Sequence, residues 1–326
     1  MNIYNNYKPV NKPLAVLGAL GAIYGLRIGY DLLHSVIPYL RPSKLDRYLE
    51  TADGKTPWAL VTGSNSGIGK AFANELAGRG FNIVLLGRSK DKLKATKAEL
   101  QALHPGRKFR VVVTTPAQCT SASKVSFPDI ASAVKDLNLN ILVNNLGGAM
   151  PRAEFGTIDY YTTAELTEHI NVMATFPTLL TSTLFPALMR NGPGLVINIG
   201  SFADEGIPYL PTYGPTKSFL MTSSKELARE VKCEGRDVEV LGLRVGLVSG
   251  TGLNKKPASF FEPDAADFVK AALARVGCGR TVIGAYWPHA LQSGLVNMVP
   301  EFIKEKAIAW EISRRYIEER QRMAKQ

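Results

Sequence analysis

The sequence predicts an α/β fold in which a doubly wound parallel sheet of about seven strands is flanked by helices. Short apolar segments of the kind that form buried parallel strands alternate along the chain with longer segments of helical periodicity. A glycine-rich turn follows the first of these strands and opens a helix. With 326 residues, of which 45% are hydrophobic and 21% charged, the chain can bury a large core.

Charge and cysteine usage narrow the classes of partner. The formal net charge of +11 makes acidic lipid surfaces and phosphate-rich ligands plausible. The basic residues are scattered and lack the paired Cys/His or aromatic-interleaved patterns of nucleic-acid readers, so no nucleic-acid partner is expected. The 3 cysteines and 4 histidines are dispersed, which argues against a disulfide framework and a metal site and indicates a reducing compartment.

An apolar segment precedes the predicted sheet. Leu14–Leu26 carries no charge, and apolar character resumes after Arg27 as far as Leu40. The segment is long enough to cross a bilayer only if it carries Arg27 and Asp31, which could pair on one helix face. We therefore predict that residues 1–45 form a membrane anchor, either spanning the bilayer or lying in its interface. A soluble helix packed on the body is the alternative. Basic residues are slightly more numerous after the segment than before it, which favours a cytosolic body.

The first strand, helix and second strand form a nucleotide-binding unit. Trp58–Thr62 reads as a buried strand, and a helix runs from the turn to Gly78 or Gly80. Such a turn brings backbone N–H groups to a pyrophosphate at a helix N-terminus, and glycine allows the close approach. The turn supplies the predicted cofactor contacts: Gly63, Ser64, Asn65, Ser66, Gly67, Ile68 and Gly69.

The end of the second strand favours NADPH as cofactor. After Phe81–Leu86 the sequence continues Gly87-Arg88-Ser89, and no acidic residue occurs before Asp91. An acid at this point would bind the ribose hydroxyls of NAD, whereas an arginine accommodates a 2′-phosphate. Arg88 is therefore the predicted phosphate clamp, with an ordinary solvated arginine as the alternative.

The same alternation continues to about residue 285 and predicts one Rossmann-type catalytic domain, residues 46–290, without a second catalytic domain. Helices are predicted over residues 90–103, 128–137 and 164–189, the last interrupted by Pro177 and Pro186. The remaining predicted strands are Phe109–Thr114, Asn140–Asn144, Leu195–Ile199, Val238–Arg244 and Thr281–Ala285.

Tyr213 and Lys217 are the candidate proton-transfer pair. Four residues apart on a helix, their side chains point to the same region of space. An ammonium beside a phenol favours the phenolate and lowers the pKa, which suits a general acid/base. Ser201 follows a predicted strand, so it lies at the carboxyl edge where ligands bind, and its hydroxyl could orient a carbonyl.

These motifs together resemble the short-chain dehydrogenase/reductase superfamily over roughly Trp58 to Ala285. The resemblance implies that Tyr213 is the general acid/base, that Lys217 lowers its pKa and holds the nicotinamide ribose, and that Ser201 polarises the carbonyl. It also implies that Asn171 sustains a proton-relay water. The motif residues that complete the resemblance, with the remaining cofactor contacts that it implies, are Thr62, Asn144, Asn145, Gly147, Val248 and Ser249.

The flanking segments are most similar to the fungal very-long-chain 3-oxoacyl-CoA reductases, relatives of the 17β-hydroxysteroid dehydrogenases. The likeness rests on the N-terminal apolar segment and on three stretches, residues 197–202, 216–220 and 286–290. It implies NADPH-dependent reduction of a 3-oxoacyl-CoA in fatty-acid elongation at the endoplasmic reticulum membrane, with other elongation enzymes and a second copy of the chain as conceivable partners. A hydroxysteroid or specialised-metabolite dehydrogenase, and an idle cofactor-binding scaffold, are the alternatives.

Two departures and the C-terminal segment complete the predictions. Val245-Gly246 stands where the superfamily often has Pro-Gly, and Thr114-Thr115-Pro116 replaces an acid near the adenine. Residues 291–326 are predicted to form an amphipathic extension. It has one helical face made of Ile303, Ala307, Trp310 and Ile317, which could lie on a membrane or pack on the body.

Overall fold

The computed structural model describes residues 12–51, 54–120, 127–148, 150, 152–190, 192–252, 254 and 256–324. Seven strands form one sheet in the order β3-β2-β1-β4-β5-β6-β7, and every neighbouring pair is parallel. The predicted doubly wound sheet is confirmed. The strands are β1 (Trp58–Thr62), β2 (Asn82–Gly87), β3 (Phe109–Val113), β4 (Leu139–Asn144), β5 (Gly194–Ile199), β6 (Val238–Arg244) and β7 (Val282–Gly284).

Helices pack on both faces of the sheet. The α-helices of the described residues are α1 (Lys12–Leu40), α2 (Gly67–Gly78), α3 (Lys90–Leu103), α4 (Phe127–Val134), α5 (Thr163–Ile170), α6 (Phe176–Arg190), α7 (Tyr213–Cys233), α8 (Ala265–Leu273), α9 (Trp287–Asn297) and α10 (Glu301–Ala324). The alternating residues of each central strand feed two separate cores. One core packs Phe72 and Phe268 from α2 and α8, and the other packs Phe176 and Leu180 from α6.

The long helical segment predicted over residues 164–189 is divided by a π-helical turn. Asn171–Thr175 adopts this wider winding between α5 and α6. Pro177 stands in the first turn of α6, where its missing N–H costs little, and only Pro186 lies inside the helix. Local π-helical turns occur often at functional sites, and this one begins at a predicted site residue.

Helix α1 is long and apolar enough to cross a membrane. The stretch Ala15–Leu40 has a mean hydropathy of 1.3, and within it Pro38 is buried and Tyr39 half-buried where the helix meets the body. A second stretch that passes the same test, Thr163–Arg190, is half buried because it is α5 and α6 of the body. The last turn of α1 is fixed to the body: the Tyr39 hydroxyl donates to the Gly284 carbonyl over 2.8 Å, and Arg275 donates to the Pro38 carbonyl over 2.8 Å.

The C-terminal part of the chain consists of α9 and α10. The predicted domain boundary at residue 290 lies inside α9. Helix α10 packs on the body, but not through its apolar face. Ile303, Trp310 and Ile317 are 46%, 69% and 52% exposed, whereas Tyr316 and Glu319 contact the body. The sequence alternatives for this helix are therefore not exclusive, since it packs on the body and also presents an apolar face.

Candidate active site

The predicted cofactor turn is built at the carboxyl end of β1, the strand from which the sheet extends in both directions. Gly63 and Gly67 have φ of 65° and 52°, which favour glycine. A Cβ on Gly69 would lie 2.3 Å from the Gly63 carbonyl oxygen, so only glycine lets α2 start this close to the turn. Ile68 lies in the first turn of α2, and Ser66 is its N-cap residue.

The loop after β4 is fastened to this turn by Thr62. The Thr62 hydroxyl accepts hydrogen bonds from the backbone N–H groups of Asn145 and Leu146 over 2.9 and 3.0 Å. The Asn145 amide donates in turn to the Thr62 carbonyl over 3.0 Å. The structure therefore brings the Gly63–Gly69 turn and the 145–147 loop together, as the sequence motifs predicted.

The side chain of Asn144 takes no part in the contact between this turn and this loop. Its side chain lies on the opposite face of the sheet, where the amide donates to Thr181 Oγ1 and Asn198 Oδ1 over 2.9 and 2.8 Å. Asn198 continues this buried network by donating to Ser224 Oγ over 2.8 Å. Because side chains alternate along a strand, the last residue of β4 faces α6 while the loop after it turns toward the cleft. The side chain of Asn144 is thus held in this buried network, and a contact of Asn144 with the cofactor stays a prediction.

Ser64 and Arg88 fit a phosphate-bearing ligand. Ser64 Oγ is fully buried and has no hydrogen-bond partner among the described residues. A buried hydroxyl without a partner is costly, and a ligand oxygen would satisfy it. Arg88 is exposed directly after β2, and Asn65 Oδ1 would lie 3.7 Å from a Cβ on the neighbouring Gly87. These residues therefore flank one polar end of the predicted cofactor cleft.

Lys217 reaches the cleft from α7 and is fully enclosed. Its Nζ donates to the Ile199 carbonyl over 2.6 Å, and a Cβ on Gly147 would lie 3.5 Å from it. Burial lowers the pKa of Lys217 to about 8, because the ammonium loses hydration and keeps few compensating partners. The ammonium lies 5.8 Å from the centre of the Tyr213 ring.

Tyr213 begins α7 and points toward Ser201, which ends the loop after β5. Burial raises the pKa of Tyr213, and the Glu154 carboxylate adds to this, while a hydrogen bond with Ser201 opposes it. The lowering of the Tyr213 pKa by Lys217 stays a prediction, and in this structure the Lys217 ammonium donates to the Ile199 carbonyl. Ser201 is buried, and its Oγ also accepts the backbone N–H of Ala203 over 3.1 Å. The Tyr-Ser-Lys grouping predicted from the sequence is thus assembled at one edge.

Asn171 starts the π-helical turn, and its side chain points away from Lys217. The amide donates to the Ala117 carbonyl over 3.0 Å and to Thr120 Oγ1 over 3.2 Å. Its backbone carbonyl accepts a weak hydrogen bond from the Cys119 thiol over 3.7 Å. The side chain therefore fixes the turn to the segment after β3, and the proton-relay role stays a prediction.

A buried histidine that no sequence motif singled out connects two walls of the site. His169 Nε2 lies 3.2 Å from the Gly148 carbonyl oxygen, and Nδ1 lies 2.8 Å from Thr212 Oγ1. A carbonyl can only accept, so Nε2 carries the hydrogen and Nδ1 accepts from the Thr212 hydroxyl. Burial lowers the pKa of His169, with Lys217 contributing, which keeps the ring neutral. His169 thereby joins the loop after β4 to the residue before Tyr213.

The loop after β6 carries the last two predicted contacts, Val248 and Ser249. Both are buried, and the Ser249 hydroxyl donates to the Lys256 carbonyl while its N–H donates to the Pro263 carbonyl over 2.8 Å. Lys255 in the same loop lies outside the described residues. The ring of His289 from α9 packs on Gly246, where a Cβ would lie 2.8 Å away. Gly246 therefore fits a close contact with α9 in place of the usual Pro-Gly corner.

The profile of the short chain dehydrogenase family matches residues 57–260, which include the cofactor turn and the Tyr-Ser-Lys grouping. This chain belongs to the short-chain dehydrogenase family. A family member of this fold is an oxidoreductase that uses a nicotinamide cofactor, and the cradle around Ser64, Gly69 and Lys217 fits such a group. The sequence prediction of the family is confirmed.

Curated relatives of this short-chain dehydrogenase include two very-long-chain 3-oxoacyl-CoA reductases. The protein of Caenorhabditis elegans is 32% identical over 276 residues, which are 83% of each chain. The fungal protein of Coprinopsis cinerea is 32% identical over 302 residues, which are 86% of this chain and 83% of the relative. A hydroxysteroid dehydrogenase-like protein of Gallus gallus is 29% identical over 313 residues, with 91% and 90% covered.

Solved structures confirm the fold. A 7β-hydroxysteroid dehydrogenase superimposes with a TM-score of 0.61 at 22% identity, covering 74% of this chain and 90% of its own. A short-chain dehydrogenase from Sphingobium yanoikuyae in complex with NADPH gives a TM-score of 0.58 at 23% identity, covering 75% and 97%. At these identities the likeness establishes the architecture alone.

Proposed function

We propose that this short-chain dehydrogenase is a membrane-anchored, NADPH-dependent ketoreductase of a very-long-chain 3-oxoacyl-CoA, which it reduces to the 3-hydroxyacyl-CoA. The observation that carries the reaction type is the convergence of Tyr213, Ser201 and Lys217 beside the glycine turn. The substrate class is supported by the similarity to very-long-chain 3-oxoacyl-CoA reductases over most of both chains. The cofactor preference is supported by exposed Arg88 at the end of β2, where no acid is present.

Each residue of the site would have a defined task. A bound nicotinamide supplies the hydride to the ketone carbon. The Tyr213 hydroxyl donates a proton to the ketone oxygen, and the Ser201 hydroxyl donates a hydrogen bond to the same oxygen. The Lys217 ammonium stabilises the phenolate that Tyr213 becomes. Asn171, at the start of the π-helical turn, would sustain the proton-relay water that the family resemblance implies.

The proposed location is the endoplasmic reticulum membrane, with the catalytic domain facing the cytosol. Helix α1 supports an anchor because its described side chains from Ala15 to Val36 are exposed and because it is apolar enough to span a bilayer. The Arg27–Asp31 ion pair, with its atoms 2.8 Å apart, would reduce the cost of carrying two charges within the anchor. Its final turn is bonded to the body at Gly284, so the catalytic domain would stay next to the bilayer.

A hydroxysteroid or related lipophilic ketone is the second candidate substrate. The similarity to a hydroxysteroid dehydrogenase-like protein supports it. The same Tyr-Ser-Lys grouping would serve either ketone, because neither candidate requires a different proton donor.

The decisive experiment is a substrate panel with the full-length chain in detergent. NADPH consumption is measured with 3-oxoacyl-CoAs of increasing chain length and with free keto-steroids, and each rate is corrected with the Tyr213→Phe variant. Turnover that rises with acyl length supports the proposal. Turnover of a free ketone with none on any acyl-CoA would refute it. Tight NADPH binding without turnover of any ketone would favour a cofactor-binding scaffold.

A further inference from the structure

One apolar surface remains unexplained by the proposed reaction. It runs along α9 and α10 and consists of residues that are each at least 46% exposed: Trp287, Leu291, Leu295, Met298, Phe302, Ile303, Trp310 and Ile317. We call this set the outer apolar face. Contiguous exposed apolar surface of this kind marks an interaction site in folded proteins.

The residues in α9 fall on one line. Trp287, Leu291, Leu295 and Met298 follow a spacing of four, four and three residues, which places them on one side of a helix. Met298 is 81% exposed and Phe302 is 67% exposed, so exposed apolar residues also stand at the turn between the two helices. The outer apolar face therefore has members on both helices and at the turn that joins them.

Helix α10 holds the body with its opposite side. Ile303 and Ile312 are nine residues apart, which is about half a turn beyond two full turns, so they lie on opposite sides. On the inner side Tyr316 stacks on Tyr209 with ring centres 4.4 Å apart, and Lys304 pairs with Glu205 over 3.7 Å. An amphipathic helix on a soluble protein normally buries its apolar side and exposes a polar one, whereas α10 also exposes apolar residues on the side that faces away from the body.

The chemistry of the outer apolar face matches a lipid interface. It carries two tryptophans, which favour the boundary between acyl chains and headgroups. Exposed Lys306 lies among its residues, and a lysine can extend its ammonium to headgroups while its stem stays in apolar surroundings. Glu311 is neutralised by Arg314 and Arg315, so α10 presents few free acidic groups there.

The position of α1 indicates that a lipid bilayer covers the outer apolar face. The Tyr39 hydroxyl is bonded to the carbonyl of Gly284, and α9 begins three residues later at Trp287. A bilayer that holds α1 must pass close to the start of α9. We infer that the outer apolar face lies on the surface of the bilayer and forms a second membrane contact besides the α1 anchor. This inference rests on the proposed membrane anchoring of α1.

Depth-dependent quenching tests the contact directly. The full-length chain is reconstituted into phosphatidylcholine vesicles whose acyl chains carry bromine, and tryptophan emission is compared with that in unbrominated vesicles. The chain has three tryptophans, and buried Trp58 in β1 is the internal reference. Loss of emission from Trp287 and Trp310 is expected, and Trp310→Phe and Trp287→Phe each should remove part of that loss. If the brominated acyl chains leave the emission of both Trp287 and Trp310 unchanged, the inference is overturned.

A paired substitution separates the contact from the chemistry. Met298→Asp with Phe302→Asp should abolish the quenching and reduce turnover of a long-chain substrate delivered in vesicles, while turnover of a short, water-soluble 3-oxoacyl-CoA stays unchanged. Leu103→Asp is the matched control, since Leu103 is 60% exposed in α3 and should leave both activities and the quenching intact. A dimer in detergent that the paired substitution dissociates would assign the face to a second copy and overturn the inference. Absence of turnover on every ketone would refute the proposed function but leave the quenching result valid.

Discussion

His169 accepts a hydrogen bond from the hydroxyl of Thr212 over 2.8 Å, and Thr212 is the residue directly before the candidate catalytic Tyr213. The other ring nitrogen is bonded to the Gly148 carbonyl in the loop after β4. The two walls of the proposed cleft are therefore joined by one neutral imidazole. This joint gives a prediction that does not depend on the identity of the substrate.

Replacing His169 should disturb the position of Tyr213. His169→Ala leaves a buried carbonyl and a hydroxyl without their partner, which should cost about 1–3 kcal/mol of the free energy of unfolding. A displaced Tyr213 should lower kcat by roughly tenfold to a hundredfold. Urea unfolding and steady-state rates measure the two effects. His104→Ala is the control, because His104 caps α3 away from the site. Equal effects of both substitutions would contradict the role of His169.

The same residue predicts a stability change with pH. Because the pKa of His169 is lowered in the folded chain, the unfolded chain binds more protons as the pH falls. The stabilising contribution is complete above the ordinary histidine pKa of about 6.5 and is lost below it. The free energy of unfolding measured between pH 7 and about 5 should fall less steeply in His169→Ala than in the natural chain. Identical slopes would refute this linkage.

Reduction should slow at alkaline pH through Lys217. Its pKa of about 8 means that the ammonium loses its proton just above neutrality, and the phenolate of Tyr213 then loses its stabilising charge. We expect kcat for ketone reduction to be constant below pH 8 and to decline above it. A pH–rate profile with saturating cofactor measures this decline. Lys217→Met should reduce kcat by about 10²-fold or more and remove the inflection. Retention of the inflection in this variant would assign it to another group.

Tyr213→Phe removes the proton donor while keeping the ring. Turnover should fall by roughly 10²- to 10⁴-fold, the usual contribution of a positioned acid. NADPH affinity, followed by the fluorescence of the bound cofactor, should stay nearly unchanged, since the glycine turn and Lys217 are intact. Tyr209→Phe is a matched control on a tyrosine that stacks on α10. Undiminished turnover in Tyr213→Phe would exclude Tyr213 as the acid.

Arg88→Asp tests the predicted cofactor preference. Loss of one charged hydrogen-bonding partner and introduction of a carboxylate should weaken NADPH by about tenfold to a hundredfold and favour NADH. The ratio of kcat/KM for the two cofactors measures the change. Lys92→Asp makes the same charge change on exposed α3 and serves as the control. If the kcat/KM ratio for NADPH and NADH is unchanged in Arg88→Asp, Arg88 does not determine the cofactor preference.

Glu319 connects α10 to the wall of the cleft. Its two carboxylate oxygens accept the backbone N–H groups of Glu154 and Phe155, each over 2.8 Å. Glu319→Ala should raise KM more than it lowers kcat, because the 154–155 segment loses its support while the Tyr-Ser-Lys grouping remains. Glu318→Ala is the control, since Glu318 is exposed and pairs only with Arg314 among the described residues. If KM and kcat are the same in Glu319→Ala and Glu318→Ala, the contact of α10 with the 154–155 segment does not influence the site.

The sheet, the family and the candidate Tyr-Ser-Lys grouping could be predicted from the sequence. The β-α-β alternation has a local cause, since buried strands and amphipathic helices leave distinct periodicities. The cofactor turn could be predicted from its glycines, because the backbone conformation of Gly63 and Gly67 and the close approach at Gly69 require glycine. The spacing from Ser201 to Lys217 was equally visible, because Ser201 comes directly after β5 and Lys217 lies near the start of α7.

The direction in which the other side chains face depends on contacts between distant segments of the chain. Asn144 turned out to face α6 because strand alternation, not motif membership, sets its direction. His169 and Glu319 acquire their roles from partners 43 and 165 residues away, at Thr212 and Glu154, which no local pattern encodes. The outward face of α10 has the same origin. An amphipathic pattern specifies that a helix has two sides, but contacts with distant segments determine which side meets the body.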